Sequence, residues 1–334
     1  MKGQLRHTLE DIISLENLLA AWREFLPGKR HKADVQVFSH RLMDNVLALH
    51  HELVKGAYRH GPYQHFRISD PKPRDIHKAT VKDRLVHHAI YRVLYPFFSR
   101  TFIADSYSCQ LGKGTHRAMQ RFQTFGRRVS RNSTRTCWVL KCDIRKFFAS
   151  IHQATLLRLL TERISDVRIV SLLQEVIGSF SWSPGIGLPL GNLTSQLFVN
   201  VYMTPFDQFV KHRLHATYYL RYADDFAILS DDRGWLAALV THIADFLDTE
   251  LRLALHPRKV TIQTLASGVD FLGWVHFPGH RVLRTATKQR MFRRLALHPE
   301  EVTVQSYLGL LQHGHAHGLS VQVQAAVSQN RTRG

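Results

Sequence analysis

Two adjacent carboxylates in an apolar setting are the first feature with chemical content. Tyr222-Ala223-Asp224-Asp225-Phe226 places paired acids between strand-like runs, where like charges repel unless a cation relieves them. Hard divalent ions such as Mg²⁺ take carboxylate oxygens and leave positions open for phosphate. The plain alternative is a solvated hairpin turn, because Asp is a favoured turn residue. A third acid, Asp143, ends the β-branched and apolar run Thr136–Ile144 within Lys141-Cys142-Asp143-Ile144-Arg145-Lys146-Phe147-Phe148. If the two strands are neighbours, the acids converge on two metals that clamp an in-line phosphoryl displacement. A third segment, Gly187-Leu188-Pro189-Leu190-Gly191-Asn192-Leu193-Thr194-Ser195-Gln196, carries the glycines that let backbone approach a ligand closely. Thr194 or Asn192 suits the cap of the helix after it.

The elements that must position these residues follow from hydropathy periods. Thr8–Leu26 reads as one amphipathic helix stopped by Pro27-Gly28, and Ser39–Val54 as a second. Tyr63–Ile68 alternates like a strand before a turn at Asp70-Pro71-Lys72-Pro73, and Lys82–Tyr95 is helical. Leu156–Phe180 is mostly helical, Tyr218–Leu229 a hairpin about the acid pair, Trp235–Leu251 a helix and Val260–Val275 a strand. The last 50 residues are helical and basic. Helices and strands alternate without a βαβ repeat, so the fold class is α+β.

Composition bounds the partners. The 334 residues carry 45 Lys+Arg against 26 Asp+Glu, a net charge of +19, which favours a polyanion such as nucleic acid. Basic patches with aromatic residues among them (Lys29-Arg30-His31-Lys32, Arg127 to Arg135, Lys288 to Arg294) suit a backbone-and-base groove. No apolar run spans a bilayer, and acids at Glu10 and Asp11 argue against a signal peptide. The three cysteines, Cys109, Cys137 and Cys142, lack metal-ligand spacing, so a cytoplasmic location is expected. His313-Gly314-His315-Ala316-His317 has no matching ligand set elsewhere, and Asn132-Ser133-Thr134 matters only in a secreted chain.

In this order the three segments resemble the palm of a reverse transcriptase: Asp143–Phe148 the first palm motif, Gly187–Gln196 the second, Tyr222–Phe226 the catalytic hairpin. Lys72-Pro73-Arg74-Asp75-Ile76, Lys82-Asp83-Arg84-Leu85-Val86, Ser106–Cys109 and Gly112–His116 resemble fingers segments, and Phe271-Leu272-Gly273-Trp274 a primer grip. The second motif, with Leu190 before Gly191 and Gln196 after Ser195, is similar to that of diversity-generating retroelements. Intron-encoded enzymes place Gln and Pro there. The resemblance implies a polymerase right hand, with a helical N-terminal extension (1–55), fingers and palm (56–275) and a short helical thumb (276–334). It implies an RNA-directed DNA polymerase that copies a template RNA into cDNA with errors opposite template adenines. A retron-like or anti-phage enzyme is the alternative, and a catalytically silent RNA-binding scaffold the alternative from another class. About 60 residues follow Trp274, room for a thumb and for no added nuclease domain.

The same resemblance implies roles. Asp143, Asp224 and Asp225, with the Ile144 carbonyl, would hold two Mg²⁺ ions. Arg74, and more weakly Lys82 and Arg84, would meet the incoming dNTP, and Phe148 would select deoxyribose. Lys259 would protonate departing pyrophosphate. Leu190, Gly191, Ser195 and Gln196 would border the nascent pair or template, with fidelity set at Leu190 and Arg74. The implied partners are a template RNA, the RNA–cDNA duplex, dNTPs and a small, basic, helical, oligomeric accessory protein, with no membrane.

Overall fold

In the computed structural model, which describes residues 3–69 and 73–331 and side chains only as far as 325, the chain forms two compact units interleaved in sequence. Lys72 of the predicted fingers segment, and Asp70 and Pro71 of the predicted turn, lie outside the described residues.

The first unit comprises Met1–Ala104, Ile144–Leu214 and Ile243–His256. Where one N-terminal helix is predicted there are two, α1 (Leu9–Ile13) and α2 (Leu15–Phe25). Ser14 has extended backbone, and its hydroxyl accepts from the Asn17 amide, so the same residue ends one helix and caps the next. The second predicted helix, Ser39–Val54, is α4 (Leu42–Val54), and its first two residues end an unpredicted α3 (Ala33–His40); the break falls at Arg41, whose ψ of 44° leaves the helical region. Leu18, Ala21, Trp22 and Phe25 form the buried stripe of α2, which packs on α5 (Val81–Phe98). Ahead of α5, β1 (Gln64–Ile68) and β2 (Arg74–Lys78) make an antiparallel hairpin in the register His65↔His77, Phe66↔Ile76, Arg67↔Asp75. The unit continues with α7 (Phe147–Ser150), α8 (Gln153–Thr161), α9 (Val167–Gly178) and α10 (Leu193–Gln208). Helix α10 is buried on nearly every side, from Thr194 and Ser195 through Phe206, and packs against α5 and α8.

The second unit comprises Asp105–Asp143, His215–His242 and Pro257–Gly334. Its antiparallel sheet has the order β4-β5-β3-β6, from β3 (Trp138–Asp143), β4 (Tyr219–Tyr222), β5 (Asp225–Ser230) and β6 (Thr261–Thr264). Helix α6 (Thr115–Val129) lays Ala118, Phe122, Phe125 and Val129 over Val139, Leu220, Ala227 and Leu229 of that sheet. The strand predicted across Val260–Val275 is interrupted. After β6 the chain turns at Gly268 (φ 86°) and builds a separate sheet of β7 (Val269–Phe271), β8 (Trp274–His276) and β9 (Arg281–Leu283). Helix α11 (Arg233–Leu251) contributes to both units. Helices α12 (Thr285–Leu297), α13 (Glu301–Leu311) and α14 (His317–Arg331) close the chain; Met291, Leu295, Val304, Leu311 and Val323 share a core with Trp274.

Candidate active site

The three predicted acids meet at one end of the second unit's sheet. Strands β3 and β5 are hydrogen-bonded neighbours, with Asp143 directly opposite Asp225. Tyr222 pairs with Asp225, so Ala223 and Asp224 form a two-residue turn. Ala223 has φ 56°, a left-handed conformation that costs a non-glycine residue about 1–2 kcal/mol. Its carbonyl accepts from Nη1 of Arg221 at 3.0 Å, and Arg221 is fully buried. Backbone bonds from Arg221 N to Asp105 O and from Tyr107 N to Arg221 O, both 2.9 Å, tie the hairpin to 105–107. Thr115 donates to the Tyr222 hydroxyl at 3.1 Å. The turn is therefore held from both flanks.

Two lysines balance the acids. Lys259 Nζ lies 2.9 Å from Asp143 Oδ2, and Lys141 Nζ lies 3.6 Å from Asp225 Oδ2. Burial, with the Asp224 and Asp143 carboxylates behind it, pushes the Asp225 carboxyl up to about 7 against the pull of Lys141. Asp225 Oδ1 is buried with no hydrogen-bond partner among the described residues. Such an oxygen is costly in isolation and is satisfied by a hard cation, so the donor set fits Mg²⁺ chemically. Among the described residues, no three acidic, His or Cys side chains are gathered into a ready-made metal centre. Burial pushes the Cys142 and Cys137 thiols up to about 12.

Arg74, Phe148, Leu190, Gly191, Ser195 and Gln196 belong to the first unit, where backbone bonds dock their segments on one another. His77 N donates to Leu190 O at 3.1 Å, and Asn192 Nδ2 donates to His77 O at 2.9 Å, docking β2 on the glycine-containing loop. Leu188 N bonds Phe148 O at 2.8 Å, and Gly187 N bonds Ile151 O at 2.7 Å. Gly191 (φ 104°) leaves room for Ile76, whose Cγ2 would lie 3.0 Å from an added Cβ. Arg74, two residues before Ile76 on β2, shares that face of the hairpin and is exposed. Phe147 is buried and Phe148 half-buried, while Ser195 is buried and Gln196 half-buried. Ile144, which follows Asp143 in the chain, is buried. Lys82 pairs with Glu52 at 3.0 Å and Arg84 with Asp34 at 2.5 Å, on α4 and α3.

In the predicted primer grip, Phe271 and Trp274 are buried, so their rings hold the β7–β8 hairpin together. Only Leu272 and Gly273, both at positive φ in the turn, are left partly open. The histidine string is structural: His313 stacks on His116, His315 meets His280 edge-on, and Gly314 lies so close to Trp274 that a Cβ would overlap its ring.

Sequence reasoning passed over Arg221, Lys141 and His77, and gave Asn192 as a helix cap, where its side chain instead donates to His77 O. Lys141 was within reach, because period two places it on the face of Asp143. Arg221 had one signal, a lone cation in an apolar strand, which must find a partner when buried.

The sequence profile described as "Reverse transcriptase (RNA-dependent DNA polymerase)" matches residues 69–276. The chain belongs to the reverse transcriptase family, and its enzyme class is RNA-directed DNA polymerase, a nucleotidyltransferase. Members generally use divalent metal ions. It is 25% identical over 288 residues to "Protein YkfC" of Escherichia coli (strain K12), covering 74% of each chain. It is 24% identical over 137 residues to "Uncharacterized 91 kDa protein in cob intron" of Schizosaccharomyces pombe, covering 39% of this chain and 16% of that one. Among solved structures, a "Partial Cas6-RT-Cas1--Cas2 complex" aligns with TM-score 0.45 and 20% identity, over 73% of this chain and 43% of that chain. The "Cas6-RT-Cas1--Cas2 complex" aligns equally well over 27% of its chain, so this chain spans less than half of either. No described helix is long and apolar enough to cross a membrane.

Proposed function

We propose that this enzyme copies a template RNA into cDNA with misincorporation opposite template adenines, so that the product diversifies a target gene. One observation carries the subtype: Leu190-Gly191-Asn192-Leu193-Thr194-Ser195-Gln196, with Leu before the glycine and Gln after the serine. The bonds from His77 to Leu190 and from Asn192 to His77 support it, since they register the Arg74 strand against that loop.

In this reading residues 1–55 are a helical extension, 56–275 fingers and palm, and 276–334 a thumb. Asp143 and Asp224 would hold two Mg²⁺ ions, with Asp225 and the Ile144 carbonyl completing the oxygen set. Bound ions would neutralise charge on the transferring phosphoryl group. Arg74 offers a bidentate fork to the triphosphate. Phe148 screens the sugar, and Lys259 is a proton donor for pyrophosphate. Gly191, Ser195 and Gln196 border the template, and the Leu272–Gly273 turn is the part of the grip open to a primer. Lys82 and Arg84, which pair with Glu52 and Asp34, are the weaker candidates for the dNTP site. A structured template RNA and a small, basic, helical, oligomeric accessory protein complete the system in a reducing cytoplasm.

The test is cDNA synthesis by the full chain on its native template RNA with Mg²⁺, with and without the accessory protein, followed by sequencing. Asp224→Ala should abolish incorporation. Errors should concentrate at template adenines, and Leu190 substitutions should change that bias. Errors spread evenly over the four template bases would remove the diversifying role and leave the retron-like or defence reading.

A further inference from the structure

The fingers hairpin has two faces. Phe66 and Ile76 point to the one that rests on Gly191 and carries Arg74. By strand alternation His65, Arg67, Asp75 and His77 occupy the other. Against this second face stands Trp182, which is 53% exposed. Its ring meets His77 edge-on at 5.6 Å and Phe180 at 5.9 Å, and His77 in turn meets His65 at 5.1 Å.

The tryptophan is exposed but well seated. Its amide donates to Ile186 O at 2.9 Å across the turn Ser183-Pro184-Gly185-Ile186, where Gly185 takes the positive φ of 71°. Gly187 lies beneath it at φ 106°, and a Cβ there would come within 2.7 Å of Trp182 Cδ1. A large aromatic ring that is half exposed yet fixed by its neighbours loses little entropy when something stacks on it. Arg67 on the same hairpin face is exposed and cationic, while Asp75 is paired with His65 at 3.1 Å.

A fixed π-surface against a hairpin face that also carries an exposed guanidinium is the chemistry that takes an unpaired nucleotide, base on ring and phosphate on cation. We infer that Trp182, with His77 behind it and Arg67 nearby on the hairpin, forms a stacking site for an unpaired nucleotide of the template RNA, on the hairpin face opposite Arg74. This rests on the polymerase reading and adds to it a second RNA contact outside the nascent base pair.

The experiment uses the full chain and two probes. One is a DNA primer on an RNA template that ends one nucleotide beyond the primer; the other carries a long unpaired RNA extension. The wild type should bind the extended probe more tightly. Trp182→Ala should lose that gain, about tenfold, while binding the short probe as before. Trp182→Phe should keep most of it, and Arg67→Gln, on an exposed strand position with no core contact, should lose part. Equal binding of both probes by Trp182→Ala and wild type would overturn the inference, as would an equal loss on both probes. If the wild type binds the short probe and gains nothing from the extension, the inference alone falls. Binding of neither probe would sink the polymerase reading with it.

Discussion

Asp225 shows why a buried acid beside two others can be a liability to the fold that carries it. Its carboxyl sits at about 7 because burial and two neighbouring carboxylates disfavour its charge. The folded chain therefore holds a proton that the unfolded chain has released above about pH 4. Stability falls as pH rises through that window, and the penalty is complete above pH 7. Asp225→Asn mimics the neutral acid. In a chelator, thermal melts should show the variant above wild type at pH 8 and level with it at about pH 4, while polymerisation is lost. Parallel melting curves from pH 5 to 8 would show that the carboxyl is not raised. Adding Mg²⁺ should raise the wild-type midpoint and move the variant less. Arg221 acts one bond further out, by fixing the Ala223 carbonyl. Arg221→Lys keeps the charge but loses the planar fork. It should slow incorporation severalfold with the KM for dNTP held, in single-nucleotide kinetics.

The helices and strands that carry the site were more legible than its contacts. Periodicity located α5, β3 and the β4–β5 hairpin, because one buried face imposes a repeat that needs no partner to be read. Breaks at Ser14, Arg41 and Gly268 were missed: each is a local backbone choice inside a run whose apolar spacing continues across it. The carboxylates were legible because acids in an apolar run are anomalous by themselves. Lys141 against Asp225, and His77 against Leu190, depend on which elements become neighbours. The loop before α10 offers a direct check. Gly187→Ala combines a φ of 106° with a Cβ 2.7 Å from the Trp182 ring and 3.2 Å from its amide nitrogen, and should cost about 2 kcal/mol or more in urea melts. Gly185→Ala faces open space at φ 71° and should cost only about 1 kcal/mol. Equal costs would mean that the tryptophan is not seated on Gly187.

Charge and burial of the whole chain pull its working conditions in one direction. An excess of 19 positive charges makes RNA affinity a steep function of salt, so it should fall several orders of magnitude between low and moderate ionic strength in titrations. Acid adds cations to this already positive chain, and three imidazoles, two buried and one half-buried, resist them. Burial, chiefly, holds His87 down to about 3 and both His88 and His276 to about 4. His87 lies against His60 with their Nε2 atoms 3.2 Å apart, and His276 faces the Phe271 carbonyl at 3.2 Å. All three sit below the usual value near 6.5, so the unfolded chain takes up protons that the fold refuses. Stability is whole above about pH 6.5 and is lost as pH falls toward 4, by up to about 1.4 kcal/mol per pH unit for each group. Asp225 has the opposite slope in the same window, but one group opposes three. Urea midpoints should therefore drop from pH 7 to pH 5, and His87→Gln should flatten that net drop by about half. An unchanged slope in the variant would mean that His87 accepts its proton within the fold.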